Sequence, residues 1–181
     1  MDRKGFIQTS GLAMGFTMFA NLGNSIAKAK ELITEGKDPK VVKDAEGDVL
    51  NVIGDIQTHK FLGADTNNQL VEWVDNVEPG VGIPPHMHTK EDEIFRVIKG
   101  QVEIMVDGNV TILKEGDMAF APKNIPHAWK VVGTEKAKMI TSAFPAGIEN
   151  MFIELSKLPA GPPDFAKVAE ICGRQGITFL K

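Results

Sequence analysis

The sequence contains no tyrosine, which excludes any mechanism that needs a tyrosyl general acid. It has a single cysteine, Cys172, so an intramolecular disulfide framework is excluded as well. The residues around Cys172 read as an ordinary helix, which makes it a small buried apolar side chain rather than a catalytic thiol. There is no basic run, and the formal net charge is −4. Nucleic-acid binders concentrate lysine and arginine on one face, so that class of partner is not expected. No internal repeat or low-complexity segment is present. Histidine is scarce, with only His59, His86, His88 and His127. What remains is 181 residues of which 43% are apolar, enough for one domain with a proper core.

Residues 1–29 read as an export signal. Arg3-Lys4 gives a short basic start, Ser10 to Ile26 is mildly apolar, and Ala27-Lys28-Ala29 fits an A-x-A cleavage site. The apolar part is too short and too polar for a membrane span, so no stable span is expected once the signal is removed. The run from Asp2 to Gln8 resembles a twin-arginine signal with Lys4 in place of the second arginine. This predicts an exported, periplasmic bacterial protein. The competing reading is a cytosolic amphipathic N-terminal helix. Residues 30–48 are charged and irregular and read as a lead-in arm.

From residue 49 the pattern is all-β. Gln69 to Val77 alternates apolar and polar residues, and Ile94 to Ile98 is a short apolar strand closed by Lys99-Gly100. Val102 to Val106 and Val110 to Leu113 flank Asp107-Gly108-Asn109, a strong hairpin signal. Met118 to Ala121, Trp129 to Val132 and Lys138 to Ala143 read as further strands. Short strands divided by Gly and Pro turns predict a closed or double-sheet β architecture. The period then changes. Ile148, Phe152 and Leu155 stand at helical spacing, Pro159 to Pro163 breaks the chain, and Phe165, Val168, Ile171 and Cys172 share a second helical face stopped by Gly173 and Gly176. Both helices are expected to close the core.

Three of the histidines sit in two Gly- and Pro-marked segments. His86 and His88 are two residues apart, so on an extended strand both imidazoles point to the same face. Glu93 opens the next strand, and a hairpin would bring its carboxylate back toward that face. His127 follows Pro126 and opens another strand. Three imidazoles and one carboxylate suit one divalent transition metal ion (iron, manganese, nickel, copper or zinc) and suit calcium poorly. His59 matches no such pattern and is expected at the surface or rim. Glu91 and Asp92 are expected as solvated turn residues.

Taken alone H-x-H is a weak signal, but its surroundings are specific. Gly80, His86, His88, Glu93 and Gly100 match the first cupin motif at every position. Gly116, Pro122 and His127 match the second, with Asn124 in place of a glycine and Val131 in place of an asparagine. Asn tolerates the left-handed backbone better than most residues, so the turn is expected to survive. The chain therefore resembles the cupins over about residues 49–144, which implies a jelly-roll β-barrel with an N-terminal arm and short C-terminal helices in 145–181. Glu91 to Phe95 and Pro145 to Phe152 are similar to the quercetin-dioxygenase-like single-domain members. The resemblance implies His86, His88, Glu93 and His127 as metal ligands, with Glu93 also accepting a substrate hydroxyl proton. Related barrels pair through edge strands, which leaves a homodimer open.

Residues sharing parity with the ligands should face the barrel interior. Phe95 and Trp129 are then candidate walls of a substrate pocket, with Met105 and Phe120 as weaker ones that ordinary core packing also explains. An apolar, aromatic-lined pocket over an open metal position suits a planar small-molecule substrate. The leading expectation is a dioxygenase acting on a small enol or phenol. A non-catalytic metal-bearing binding or sensor module, and a metal-assisted isomerase or lyase, remain open beside it.

Overall fold

The computed structural model describes residues 38–159 and 161–180. The expected export signal, 1–29, and residues 30–37 of the expected arm lie outside the described residues. The described chain folds as two antiparallel sheets facing each other, a jelly roll with two short helices following the last long strand. Among the described residues no helix is long and apolar enough to cross a membrane.

One sheet has six strands in the order β1-β2-β3-β10-β5-β8. They are β1 (Asp48–Val52), β2 (Asp55–Phe61), β3 (Val71–Val77), β10 (Ala137–Phe144), β5 (Asp92–Lys99) and β8 (Met118–Ala121). The other has five in the order β11-β4-β9-β6-β7. These are β11 (Ile177–Phe179), β4 (Gly82–His88), β9 (His127–Val132), β6 (Gln101–Val106) and β7 (Asn109–Leu113). The inner face of the larger sheet is drawn by parity. Trp73 and Asp75 of β3, Met139 and Thr141 of β10, and Glu93, Phe95 and Val97 of β5 are all buried.

Turn chemistry sets the connections. The β6–β7 hairpin turns on Asp107 and Gly108, both at positive φ (52° and 76°), the primed geometry that matches the twist of paired strands. Asn124 has φ 63°, so it fills the left-handed position where the motif has a glycine. Ahead of β1, the Lys60 ammonium donates to the carbonyls of Lys43, Asp44 and Glu46, which fixes the described part of the arm against β2.

The two helices are α1 (Glu149–Leu155) and α2 (Phe165–Gln175). Asp164 caps α2 by accepting from the backbone N–H groups of Ala166 and Lys167. Gly176, at φ 94°, ends that helix, whereas Gly173 lies inside it rather than stopping it. Ile148, Phe152 and Leu155 pack with Val71, Trp73, Ile171 and Ile177 in one apolar cluster. Val97, Val102, Ile104, Val131 and Met139 form a second cluster. Phe165, expected on the buried face of its helix, is instead largely exposed.

Candidate metal centre

His86 and His88 lie on β4 of the smaller sheet, and both point inward as their spacing predicts. His127, the first residue of β9, sits directly opposite His86 in the strand register. Glu93 arrives by a different route from the expected hairpin. β4 and β5 belong to different sheets, so the chain crosses over and the carboxylate approaches the histidines from the opposing inner face. Two sheets whose inner faces look at each other bring such residues together without pairing their strands. One ligand atom from each of His86, His88, Glu93 and His127 lies within 4.8 Å of all the others. The three imidazole centroids are 4.3, 4.9 and 5.0 Å apart.

Each ring is oriented from outside the cluster. His86 Nδ1 lies 2.9 Å from the Pro84 carbonyl and His127 Nδ1 lies 3.0 Å from the Ile125 carbonyl. A carbonyl only accepts, so each Nδ1 carries a proton and donates, leaving Nε2 as the atom able to bind a cation. For His88 the outward partner is a carboxylate. Its Nδ1 faces Glu91 Oε2 at 3.7 Å, and both atoms are buried with no hydrogen-bond partner. Gln175 Nε2, at the end of α2, donates to Glu91 Oε1 at 3.1 Å and holds that carboxylate in place. Glu91 is thus buried and not the solvated turn residue expected. Asp92 is half-buried and accepts from the Lys123 backbone N–H.

The electrostatics fit a cation. Burial, reinforced by the neighbouring His127, pushes His86 down to about 4, so the ring is neutral as a ligand must be. Burial alone would raise the Glu93 carboxyl. The hydrogen bond from His127 and the nearby imidazoles nonetheless hold it below its ordinary 4.5. Burial also works against a charged His127, but its 3.1 Å bond to Glu93 Oε2 raises it above 6.5. A divalent ion would take the place of that extra proton. Three imidazole nitrogens, one carboxylate and outward acceptors on all three rings are a donor set that could hold a transition metal.

A cavity of about 440 Å³ adjoins the cluster, and His86, His88 and Glu93 form part of its wall. Phe95 and Trp129 are buried and line it, on the faces their parity predicts. Phe95 also stands beside the His127 ring, with centroids 6.1 Å apart. The two weaker pocket candidates, Phe120 and Met105, are elsewhere. Phe120 is 52% exposed on the outer face of the edge strand β8, stacked against Phe144. Its small neighbours Ala119 and Ala121 are the ones opposite Phe95 and Glu93. Met105 also has outward parity and lines a shallow outer groove with Val110 and Glu103. The helices expected only to close the core supply part of the cavity wall through Phe152, Leu155, Phe165 and Val168. Cys172 is buried there with its thiol pushed up to about 11 by desolvation, which keeps it protonated. His59 is not at the rim. It is buried between Trp73 and Phe152, away from the ligand cluster, and bonded to Gln57.

The fold and this four-residue cluster define a class, and the chain belongs to the cupin family. Residues 73–143 match the cupin domain. The chain is 30% identical to pectin degradation protein KdgF of Dickeya dadantii over 90 residues, 46% of this chain and 80% of that protein. It is also 30% identical to quercetin 2,3-dioxygenase of Bacillus subtilis over 130 residues, 70% of this chain. It spans only 38% of that enzyme's length. The solved structure of KdgF from Halomonas sp. superposes with a TM-score of 0.56 at 20% identity, covering 62% of this chain and 99% of that one.

Proposed function

We propose that this cupin is a metal-dependent dioxygenase acting on a small aromatic enol or phenol. The observation that carries the reading is the juxtaposition of the His86–His88–Glu93–His127 cluster with a 440 Å³ cavity walled by Phe95, Trp129, Trp73 and Phe152. That volume suits a drug-sized ligand, and the aromatic walls favour a planar one. The similarity to quercetin 2,3-dioxygenase over 70% of this chain supports the same class of substrate. A bound transition metal would supply Lewis acidity and one-electron chemistry toward oxygen.

The chain's own residues then have defined tasks. Phe95 and Trp129 clamp the ring system and keep bulk water from the cluster. Glu93, buried and held ionised, accepts the substrate hydroxyl proton at a carboxylate oxygen, a role that contributes on the order of a hundredfold or more. His86 and His127 are held by backbone carbonyls, so their Nε2 atoms keep their direction while Glu93 changes partner. The test is oxygen uptake by the metal-loaded protein across a panel of flavonols and related enols. Substrate-dependent uptake is expected, and its absence across the panel with all five candidate metals counts against the reading. Similarity to a pectin degradation protein favours a second reading, non-oxidative Lewis-acid chemistry. Product formation without oxygen consumption would select it.

A further inference from the structure

The cavity wall is unevenly shared. The barrel strands supply all its charged and strongly hydrogen-bonding side chains, His86, His88 and Glu93 among them. Everything that the C-terminal segment supplies, from Ile148 onward, is apolar, with the Cys172 thiol behaving as a small hydrophobe. This apolar side begins at the ligand cluster. Ile177 pairs with His88 and Phe179 with His86, and directly paired residues point to the same side of a sheet. It continues through Val168 and Phe165 of α2. No lysine or arginine is among the described residues lining the cavity. Two apolar wall residues stand where the cavity meets solvent. Phe165 is 77% exposed, and Ile53, in the β1–β2 turn, is exposed as well. Ile53 has φ 55°, a left-handed conformation that a β-branched residue seldom adopts. Asparagine before Gly54 would hold this two-residue turn with less strain. What isoleucine adds is an apolar side chain at the cavity mouth, and a backbone outlier in such a place points to a role in binding.

We infer that the ligand is a phenol or enol bearing an alkyl tail, its head at the His86–His88–Glu93–His127 cluster and its tail running along the C-terminal segment to Ile53 and Phe165. This rests on the cavity being the aromatic substrate site and adds a tail site to it. A cavity of about 440 Å³ holds more than a single ring. A ligand confined to the metal end would leave Phe165 and Ile53 in water. A sugar chain on the helical side would bury hydroxyls with no partner among the wall residues there. An anionic tail would meet no lysine or arginine. An alkyl chain needs neither, and each methylene taken out of water favours binding.

The test uses zinc-loaded protein without oxygen, with binding read from the fluorescence of Trp73 and Trp129, which both line the cavity. The probes are catechol and catechols carrying an ethyl, butyl or octyl group opposite one hydroxyl. Wild-type affinity should rise along the series by about two- to fourfold per methylene as far as butyl. In Ile53→Asn and in Phe165→Ala the octyl probe should bind about three- to tenfold more weakly than in wild type, while catechol binds equally well. The denaturation midpoint of Ile53→Asn should match or exceed that of wild type, because the turn is relieved of strain. A loss of tail binding there then has no origin in a damaged fold. A flat series on wild type, or a tail gain that both variants keep in full, would overturn the tail site and leave the aromatic site intact. A lowered midpoint in Ile53→Asn would assign that residue to the fold and overturn its place at the tail. If no member of the series binds wild type, the aromatic reading falls and the tail site with it.

Discussion

Replacing Glu91 by alanine should weaken metal binding about ten- to a hundredfold without touching a ligand. His88 Nδ1 and Glu91 Oε2 face each other at 3.7 Å, buried and otherwise unpartnered. When His88 Nε2 binds a cation, Nδ1 must carry the proton, and the ring becomes a stronger donor. Glu91 is then the acceptor, held in place by Gln175. A hydrogen bond to a charged group is worth about 1.5–3 kcal/mol, which converts to roughly the same ten- to hundredfold range. The loss should be at the lower end if the pair stays as long as 3.7 Å with metal bound. Competition against a chromogenic chelator measures it. Gln175→Ala should show a smaller loss, since it loosens the carboxylate without removing it. Wild-type affinity in a correctly folded Glu91→Ala, or a larger loss in Gln175→Ala, would show that Glu91 does not support the His88 ring.

Glu93→Gln should reduce turnover far more than metal content, with kcat down about a hundredfold or more while elemental analysis shows most of the ion retained. Metal affinity should fall as pH drops from about 8 to about 6. His127 is raised above 6.5 by Glu93, so in the metal-free protein its proton competes at a higher pH than an ordinary imidazole's. His86, pushed down to about 4, competes only in stronger acid. Chelator competition at several pH values reads the slope, and a flat profile across that window would contradict the assignment. Export is proposed on the basis of residues 1–29. N-terminal sequencing of the secreted protein should begin near Lys30, and an intact Met1 would argue against cleavage.

Much of the site was legible because its residues obey short-range rules. The two-residue spacing of His86 and His88 fixes a shared face on any strand, and Phe95 inherits its direction from Glu93 by the same parity. Parity cannot say which face of a strand is the inner one when both carry apolar residues. Phe120 therefore reads equally well as an inner residue, yet β8 turns its small alanines inward beside Phe95 and its large residues outward. The crossover between sheets was hidden because β4 and β5 are adjacent in sequence and a hairpin is the shortest connection. Glu91 lay among charged neighbours Lys90 and Asp92 and gave no sign of burial. Its partner Gln175 is 84 residues away. The strand β11 is not announced by any pattern either. Three residues following a glycine carry no periodic signal, and Ile177 to Phe179 are ordered by pairing with His88, Met87 and His86. That pairing, together with the Phe179 ring 6.0 Å from His86, packs the C-terminal segment directly against the strand that carries His86 and His88.

His86, His88, Glu93 and His127 are proposed to hold one transition metal ion. Elemental analysis of the purified wild type, set beside His86→Ala, His88→Ala, His127→Ala and the off-site His59→Ala, tests it most directly. Close to one ion of iron, manganese, nickel, copper or zinc per wild-type chain is expected, with strong loss in each ligand variant and retention in folded His59→Ala. A wild type that neither carries nor takes up any of these ions, or ligand variants that keep a full complement, would contradict it.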